Sequence, residues 1–106
     1  SQELGDKSDV SKSLHQLGML AQATGNYAEA RRLYQDSLKI SQELEDKSGV
    51  AITLAQSSVL EEKEGHLGRA LELIKQAEAL FLELRSPMAS QAQKARERLE
   101  KEGYGL

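Results

Sequence analysis

Residues 14–40 read LHQLGMLAQATGNYAEARRLYQDSLKI, and this stretch decides the fold. Leu14, Leu17 and Ala21 follow the three-and-four spacing of one helix face, and residues 24–26, Thr-Gly-Asn, then interrupt the pattern. After the interruption, small and apolar residues resume that spacing at Ala30, Leu33, Tyr34, Ser37 and Ile40. We therefore expect two antiparallel helices joined by a short turn.

Residues with helix-capping chemistry mark where helices begin. Asn26 and Glu29 have the spacing of a variant capping box, in which the Asn side chain accepts from unpaired amides of the new helix and the Glu side chain reaches back. Ser8 and Ser48 stand in equivalent places before two other helical stretches. Both serines are therefore predicted N-caps.

The chain contains an internal repeat with a period of 40 residues. Residues 1–10, SQELGDKSDV, return at residues 41–50 as SQELEDKSGV, with eight of ten positions identical. This period predicts a first repeat at residues 8–46 and a second at residues 47–86. Residues 1–7 are then the tail of a preceding repeat and a linker. The linker lies at residues 5–8, and its copy at residues 45–49 joins the two repeats.

The C-terminal part predicts a helix that closes the array. Ser86 and Pro87 are suited to the cap and the first residue of a helix, because proline has no amide to leave unpaired there. Residues 87–102 then carry an apolar stripe on one face and charged residues elsewhere, as a terminal helix requires. The stripe consists of Met88, Ala92, Ala95 and Leu99. Residues 103–106 are a predicted tail.

The order of small and bulky residues in the opening stretch resembles the tetratricopeptide repeat, a helix-turn-helix unit. Leu17-Gly18 stand in the first helix, and Ala30, Tyr34 and Ser37 stand in the second. The resemblance implies an all-α fold, a right-handed α-solenoid of antiparallel helix-turn-helix repeats within a single domain, residues 1–106. About five helices, plus the tail of a preceding one, are expected. Small residues at positions 18, 30 and 37 should allow the helices to approach closely.

In repeats of this family, the first helices line a concave groove that holds peptide partners. The resemblance therefore implies that partner-binding residues lie on the first helix of each repeat. They are Lys12, His15, Gln16, Met19, Gln22, Ile52, Ala55, Gln56, Val59, Glu62 and Lys63. His15 is expected to titrate near neutral pH. Because His15, Met19 and Val59 replace the Lys and Asn that grip a chain-end carboxylate in some members, that ligand is not expected.

Composition removes several classes of function. The chain has no cysteine, which excludes disulfides and thiolate sites and is consistent with a cytoplasmic location. The net charge of −3 argues against nucleic acid as a partner, and no apolar run approaches the roughly 20 residues of a membrane helix. Glu62 and His66 have the spacing of a metal pair, but Gly65 interrupts the helix between them and no third ligand is near. We expect no metal, no cofactor and no catalytic residues, and hence no enzyme.

Two functions remain open. The first is a protein-protein interaction module that binds a peptide or helix of a partner in the groove. The second is a structural or oligomerisation segment of a larger repeat array, such as the sensor arm of a signalling protein. The second rests on Val10, Leu14 and Leu17, which form an apolar face without a preceding helix and would permit self-association through this N-terminal end.

Overall fold

The computed structural model describes residues 2–104, with side chains at residues 5–103, and these residues form five α-helices and no strand. The helices are α1 (Gln2–Ala23), α2 (Tyr27–Glu43), α3 (Lys47–Lys63), α4 (Leu67–Glu83) and α5 (Met88–Tyr104). Each helix packs against the next one along the chain, most extensively within the pairs α1–α2 and α3–α4. The result is an elongated slab that measures 50 × 33 × 17 Å. The predicted all-α repeat architecture is confirmed.

Two kinds of turn alternate along the slab. Inside each helical pair the chain turns at a glycine with positive φ, Gly25 or Gly65, where a side chain would be strained. Between pairs it turns at Glu45 or Arg85, which also have positive φ although they carry side chains. Each kind of turn recurs 40 residues later. The geometry therefore has the same period as the sequence.

The predicted capping box at Asn26 is wrong. The Asn26 side chain makes no capping hydrogen bond. Glu29 does not reach back, because its carboxylate pairs with Arg32 one turn further along α2. The start of α2 is held by the backbone instead, since the Ala30 amide donates to the Asn26 carbonyl at 3.0 Å.

The predicted caps of the later helices have mixed outcomes. Ser48 lies inside the first turn of α3, and the N-cap is Asp46, whose Oδ1 accepts from the Gly49 amide at 3.0 Å. Aspartate is an equally good cap, and the chain turns at Glu45, so the helix begins before Ser48. The cap at Ser86 is confirmed, because its Oγ accepts from the Met88 amide at 3.1 Å.

The predicted linker at residues 5–8 is wrong, and so is the separate helical tail before it. Helix α1 runs without a break from Gln2 through Ser8, so Ser8 is not an N-cap. Nothing lies within 4 Å of where a Gly5 side chain would begin, so no packing partner forces a turn there. The predicted tail also differs, because Gly103 lacks a positive φ and α5 continues to Tyr104. Residue 1 and residues 105–106 lie outside the described part.

The small residues pack as predicted. A Cβ added to Gly18 would lie 2.6 Å from the Tyr34 ring, and both Ala30 and Ser37 are buried beneath α1. Leu17, next to Gly18, is 51% exposed, because it lies on the side of α1 that α2 does not cover. Two clusters of buried apolar residues result, a small one around Tyr34 and a larger one shared by α3, α4 and α5.

Candidate functional site

The first helix of each pair contributes to a common face. The His15 imidazole Nδ1 on α1 lies 3.2 Å from the Thr53 hydroxyl on α3. On the other side of α3, Arg98 of α5 donates to Glu62 through Nη2 at 2.8 Å. These two contacts join α1, α3 and α5 side by side. We call the surface formed by α1 and α3 the α1–α3 face.

A cavity of about 460 Å³ lies at one end of this face, between α1, the end of α2 and the start of α3. Five serines line it, and we call it the serine cavity. They are Ser8, Ser11, Ser37, Ser41 and Ser48. Four predicted partner-binding residues, Lys12, His15, Gln16 and Ile52, share the lining.

A second cavity of about 530 Å³ lies at the other end of the face, beside the turn between α1 and α2. We call it the turn cavity. Four more predicted partner-binding residues line it, namely Met19, Gln22, Gln56 and Lys63. One side of Gln22 is already engaged, since its Oε1 accepts a hydrogen bond from the Tyr34 hydroxyl at 2.8 Å.

The other three predicted residues lie outside both cavities. Val59 is 41% exposed and lies on α3, as Met19, 45% exposed, lies on α1. Ala55 is half-buried and packs against the large core cluster. Glu62 is engaged by Arg98 in two charge-assisted hydrogen bonds, which lower the Glu62 pKa. A partner would have to compete with Arg98 for Glu62.

The pKa of His15 is lower than the sequence suggested. Its ring is half-buried and lies 5.6 Å from the Tyr34 ring, centroid to centroid. Because burial disfavours the charged imidazolium, the His15 pKa falls below its usual value of 6.5. At neutral pH His15 is therefore a neutral hydrogen-bonding group on this face.

Glu61 is a buried charge that the sequence analysis missed. Its carboxylate is almost fully buried and accepts hydrogen bonds from Arg31 Nε at 3.0 Å and His66 Nδ1 at 2.8 Å. Burial alone would raise the Glu61 pKa, but the bonds from His66 and Arg31 outweigh burial and lower it. The cluster ties α2 to the end of α3. A glutamate at the position where the first repeat has Ala21 was the available signal, although its partner Arg31 is thirty residues away in sequence.

The pairing of His66 with Glu61 leaves Glu62 and His66 in separate interactions. Within the described residues, no group of three or more acidic or histidine side chains is arranged to hold a metal ion. Nor does any helix in that part of the chain have the length and apolar character needed to cross a bilayer.

Paired antiparallel helices whose first members form a common face define an α-solenoid of helical hairpins. The family model of the tetratricopeptide repeat matches residues 9–83, so the chain belongs to that family. Repeats of this family generally act as protein-interaction modules. The comparison with curated proteins found no match.

Proposed function

We propose that the α1–α3 face binds a peptide or a helix of a protein partner. One observation carries the proposal: two open cavities and two exposed apolar side chains lie on the same face. Met19 and Val59 are exposed apolar side chains, so covering them with a partner and releasing water is favourable. Each cavity has room for a side chain of the partner. We expect no catalytic activity from this segment and a cytoplasmic location.

Polar groups on the face would fix the position of the partner. Gln16 is exposed beside the serine cavity and Gln56 is half-buried beside the turn cavity. An amide side chain offers both donors and an acceptor, so these two residues suit the backbone of an extended peptide. Lys12 and Lys63, one at each cavity, add positive charge.

The test is a double substitution, Met19→Glu with Val59→Glu. Peptides are selected on the wild-type protein from a random display library, and their affinities are measured by fluorescence polarisation. Two buried negative charges should raise the dissociation constant at least tenfold, which corresponds to about 1.4 kcal/mol.

Leu82→Glu provides the matched control. Leu82 is also apolar and exposed, by 60%, but lies on α4, outside the α1–α3 face. Circular dichroism should show unchanged helicity for all three proteins. Equal affinities for the double variant and the wild type would exclude this face as the binding surface.

The second candidate function is self-association through the outer side of α1. Val10 and Leu17 of the predicted apolar face are exposed there, by 48% and 51%, and so is Leu20, by 61%, whereas Leu14 is half-buried. Their counterparts in the second repeat include Leu60, which is fully buried where α2 packs against α3. Light scattering from micromolar to millimolar concentration tests this reading, and a constant monomer mass would contradict it.

A further inference from the structure

The lining of the turn cavity contains one charged group, and that group is a cation. Lys63 is exposed at the end of α3, and the other seven lining residues are uncharged. The serine cavity differs, since Lys12 and Asp46 place charges of both signs in its lining. The turn cavity therefore favours a negatively charged group of a partner.

Three glutamates lie next to Lys63 along the chain, and each of them is already paired with an arginine. They are Glu61, Glu62 and Glu64. Arg31 pairs with the first and the third, and Arg98 pairs with the second. Lys63 itself makes no ion pair among residues 5–103. Its ammonium group is therefore free to pair with a carboxylate from outside the molecule.

Tyr34 decides which end of the Gln22 amide remains for a partner. Tyr34 is 1% exposed, and its hydroxyl donates to Gln22 Oε1 at 2.8 Å. Burial raises the pKa of Tyr34, so the hydroxyl keeps its proton and remains a donor. Because the Gln22 oxygen is engaged, the group that this side chain has left is its nitrogen, with two donors. Gln22 is thus suited to bind an acceptor.

The rest of the lining narrows the choice of anion. Met19 is 45% exposed and Tyr27 is half-buried, so both offer apolar contact to a methylene stem. A single ammonium group balances one carboxylate, whereas a doubly charged phosphate would keep one charge uncompensated. The side chains of aspartate and glutamate combine a single negative charge with such a stem.

We propose that the turn cavity binds the carboxylate of an aspartate or glutamate side chain of the partner. Lys63 supplies the opposite charge, and Gln22 donates a hydrogen bond to a carboxylate oxygen. Tyr34 is a positioning residue that acts through Gln22. This inference rests on the proposed function, because the acidic side chain belongs to a partner bound to the α1–α3 face.

The cavity is tested first with small probes that do not depend on any peptide. The probes are propionate, the side chain of glutamate, and propionamide, the side chain of glutamine. Amide signals of Ala23, Gly25 and Tyr27 are followed by NMR during titration of each probe at constant ionic strength. We expect saturable shifts at these amides, with propionate binding roughly fivefold tighter than propionamide, as one exposed ion pair predicts.

Three substitutions test the charge of the site. Lys63→Gln removes the cation, so propionate should bind only as well as propionamide. Gln22→Glu keeps an acceptor for the Tyr34 hydroxyl but adds a negative charge, so it should weaken propionate at least tenfold. Lys39→Gln, a change of an exposed lysine on α2 outside the cavity linings, should leave both affinities unchanged.

The positioning role of Tyr34 has a separate test. Tyr34→Phe keeps the ring and removes only the hydroxyl that holds Gln22, so propionate should bind roughly threefold more weakly. In a Gln22→Ala background the same change should have no further effect, because the amide that it orients is gone. An equal loss in both backgrounds would show that Tyr34 does not act through Gln22.

Peptides selected on the wild-type protein provide the second test, with amidated C-termini so that only side chains supply carboxylates. Exchange of the acidic residue for its amide should weaken binding to the wild type roughly fivefold and to Lys63→Gln not at all. Lys63→Glu should instead prefer a peptide with lysine at that position.

The outcomes distinguish this inference from the proposed function. Absence of shifts at these amides, equal affinities for the two probes, or full propionate binding by Lys63→Gln would overturn the acidic site. Peptides that lose affinity for the Met19→Glu and Val59→Glu variant but bind Lys63→Gln as well as the wild type would also overturn it. That last result would still support binding of a partner on the α1–α3 face.

Discussion

The first and second repeats share one sequence pattern, but different side chains fill the contacts between their helices. In the first repeat Gly18 lies against the ring of Tyr34, whereas the equivalent positions in the second repeat hold Ser58 and Ile74. At the end of its second helix the first repeat has Ser41, which is hydrogen-bonded to Ser11, whereas the second repeat has the buried ring of Phe81. The pattern therefore specifies the hairpin, while pairs of facing residues specify how each hairpin is filled.

Comparison of residues 1–10 with their copy at residues 41–50 shows that the same local sequence can adopt two structures. Asp6 lies inside the unbroken helix α1, although its copy Asp46 caps α3 after a turn. At the second site the Asp46 amide donates to the Ser41 carbonyl at 2.9 Å, and Gly49 lies close against the Ser41 hydroxyl. Nearly identical residues therefore form a turn between α2 and α3 and a continuous helix in α1, so this local sequence alone does not decide between the two.

The largest effect is expected from Phe81→Ser, which gives the second repeat the residue of the first. Removing a fully buried phenyl ring should lower the free energy of unfolding by about 3–5 kcal/mol, through lost burial and the cavity left behind. Urea denaturation followed by circular dichroism measures the change. Leu82→Ser, at the exposed neighbouring position, should cost under about 1 kcal/mol. Similar losses for both variants would show that Phe81 does not hold the second repeat together.

A smaller loss is expected from Glu61→Gln, at a position where the first repeat has Ala21. The amide cannot match the charge-assisted bonds to Arg31 and His66, so unfolding should become easier by about 2–3 kcal/mol at pH 7. Urea unfolding provides the measurement. Glu72→Gln, an exposed change on α4, is the matched control and should have little effect.

The Glu61 contribution also depends on pH. Its pKa is lowered in the folded protein, so the folded state binds this proton less readily than the unfolded state. The stabilisation is therefore fully present above the unfolded pKa, near 4.5, and is lost as the pH falls through the folded value. The difference between wild type and Glu61→Gln should shrink on acidification below about pH 4.5. A difference that stays constant down to pH 2 would contradict this account.

The smallest effect is expected from Gly18→Ala, which tests the pairing of Gly18 with Tyr34. A Cβ at 2.6 Å from the ring forces Tyr34 to move, at a cost of about 1–2 kcal/mol in the free energy of unfolding. Gly68→Ala meets nothing within 4 Å and should instead stabilise α4 by about 0.5–1 kcal/mol.

The combination of Gly18→Ala with Tyr34→Ile sharpens this test, because it brings the first repeat closer to the pair in the second. The double variant should lose less stability than the sum of the two single variants. Purely additive losses in thermal or urea unfolding would show that positions 18 and 34 are not coupled.

Much of the fold was predictable because it depends on spacing within one repeat. The burial of Ala30 and Ser37 follows from helical periodicity, and the cap at Ser86 follows from the proline beside it. The predicted capping box failed because Glu29 has more than one possible hydrogen-bond partner. It pairs with Arg32 and does not reach back to the start of α2. Periodicity alone does not decide between such partners.

The candidate site was less predictable for a related reason. Spacing places the partner-binding residues on the first helices, but it does not show that Glu62 is engaged by Arg98 or that burial lowers the His15 pKa. The serine cavity was missed because it lies between three helices whose side chains in the first repeat differ from those in the second. Only the packed helices reveal that difference.

The slab is 17 Å across its thinnest direction, which is two layers of helices. Each helix contacts mainly its neighbours along the chain. The stability of the molecule is therefore approximately the sum of the stabilities of its hairpins and of the interfaces between neighbours. A substitution that destabilises one hairpin affects the other mainly through the interface between them, and its effect decreases with distance. A sequence change in α4 or α5 therefore reaches the first hairpin mainly through the contacts of α3 with α1 and α2.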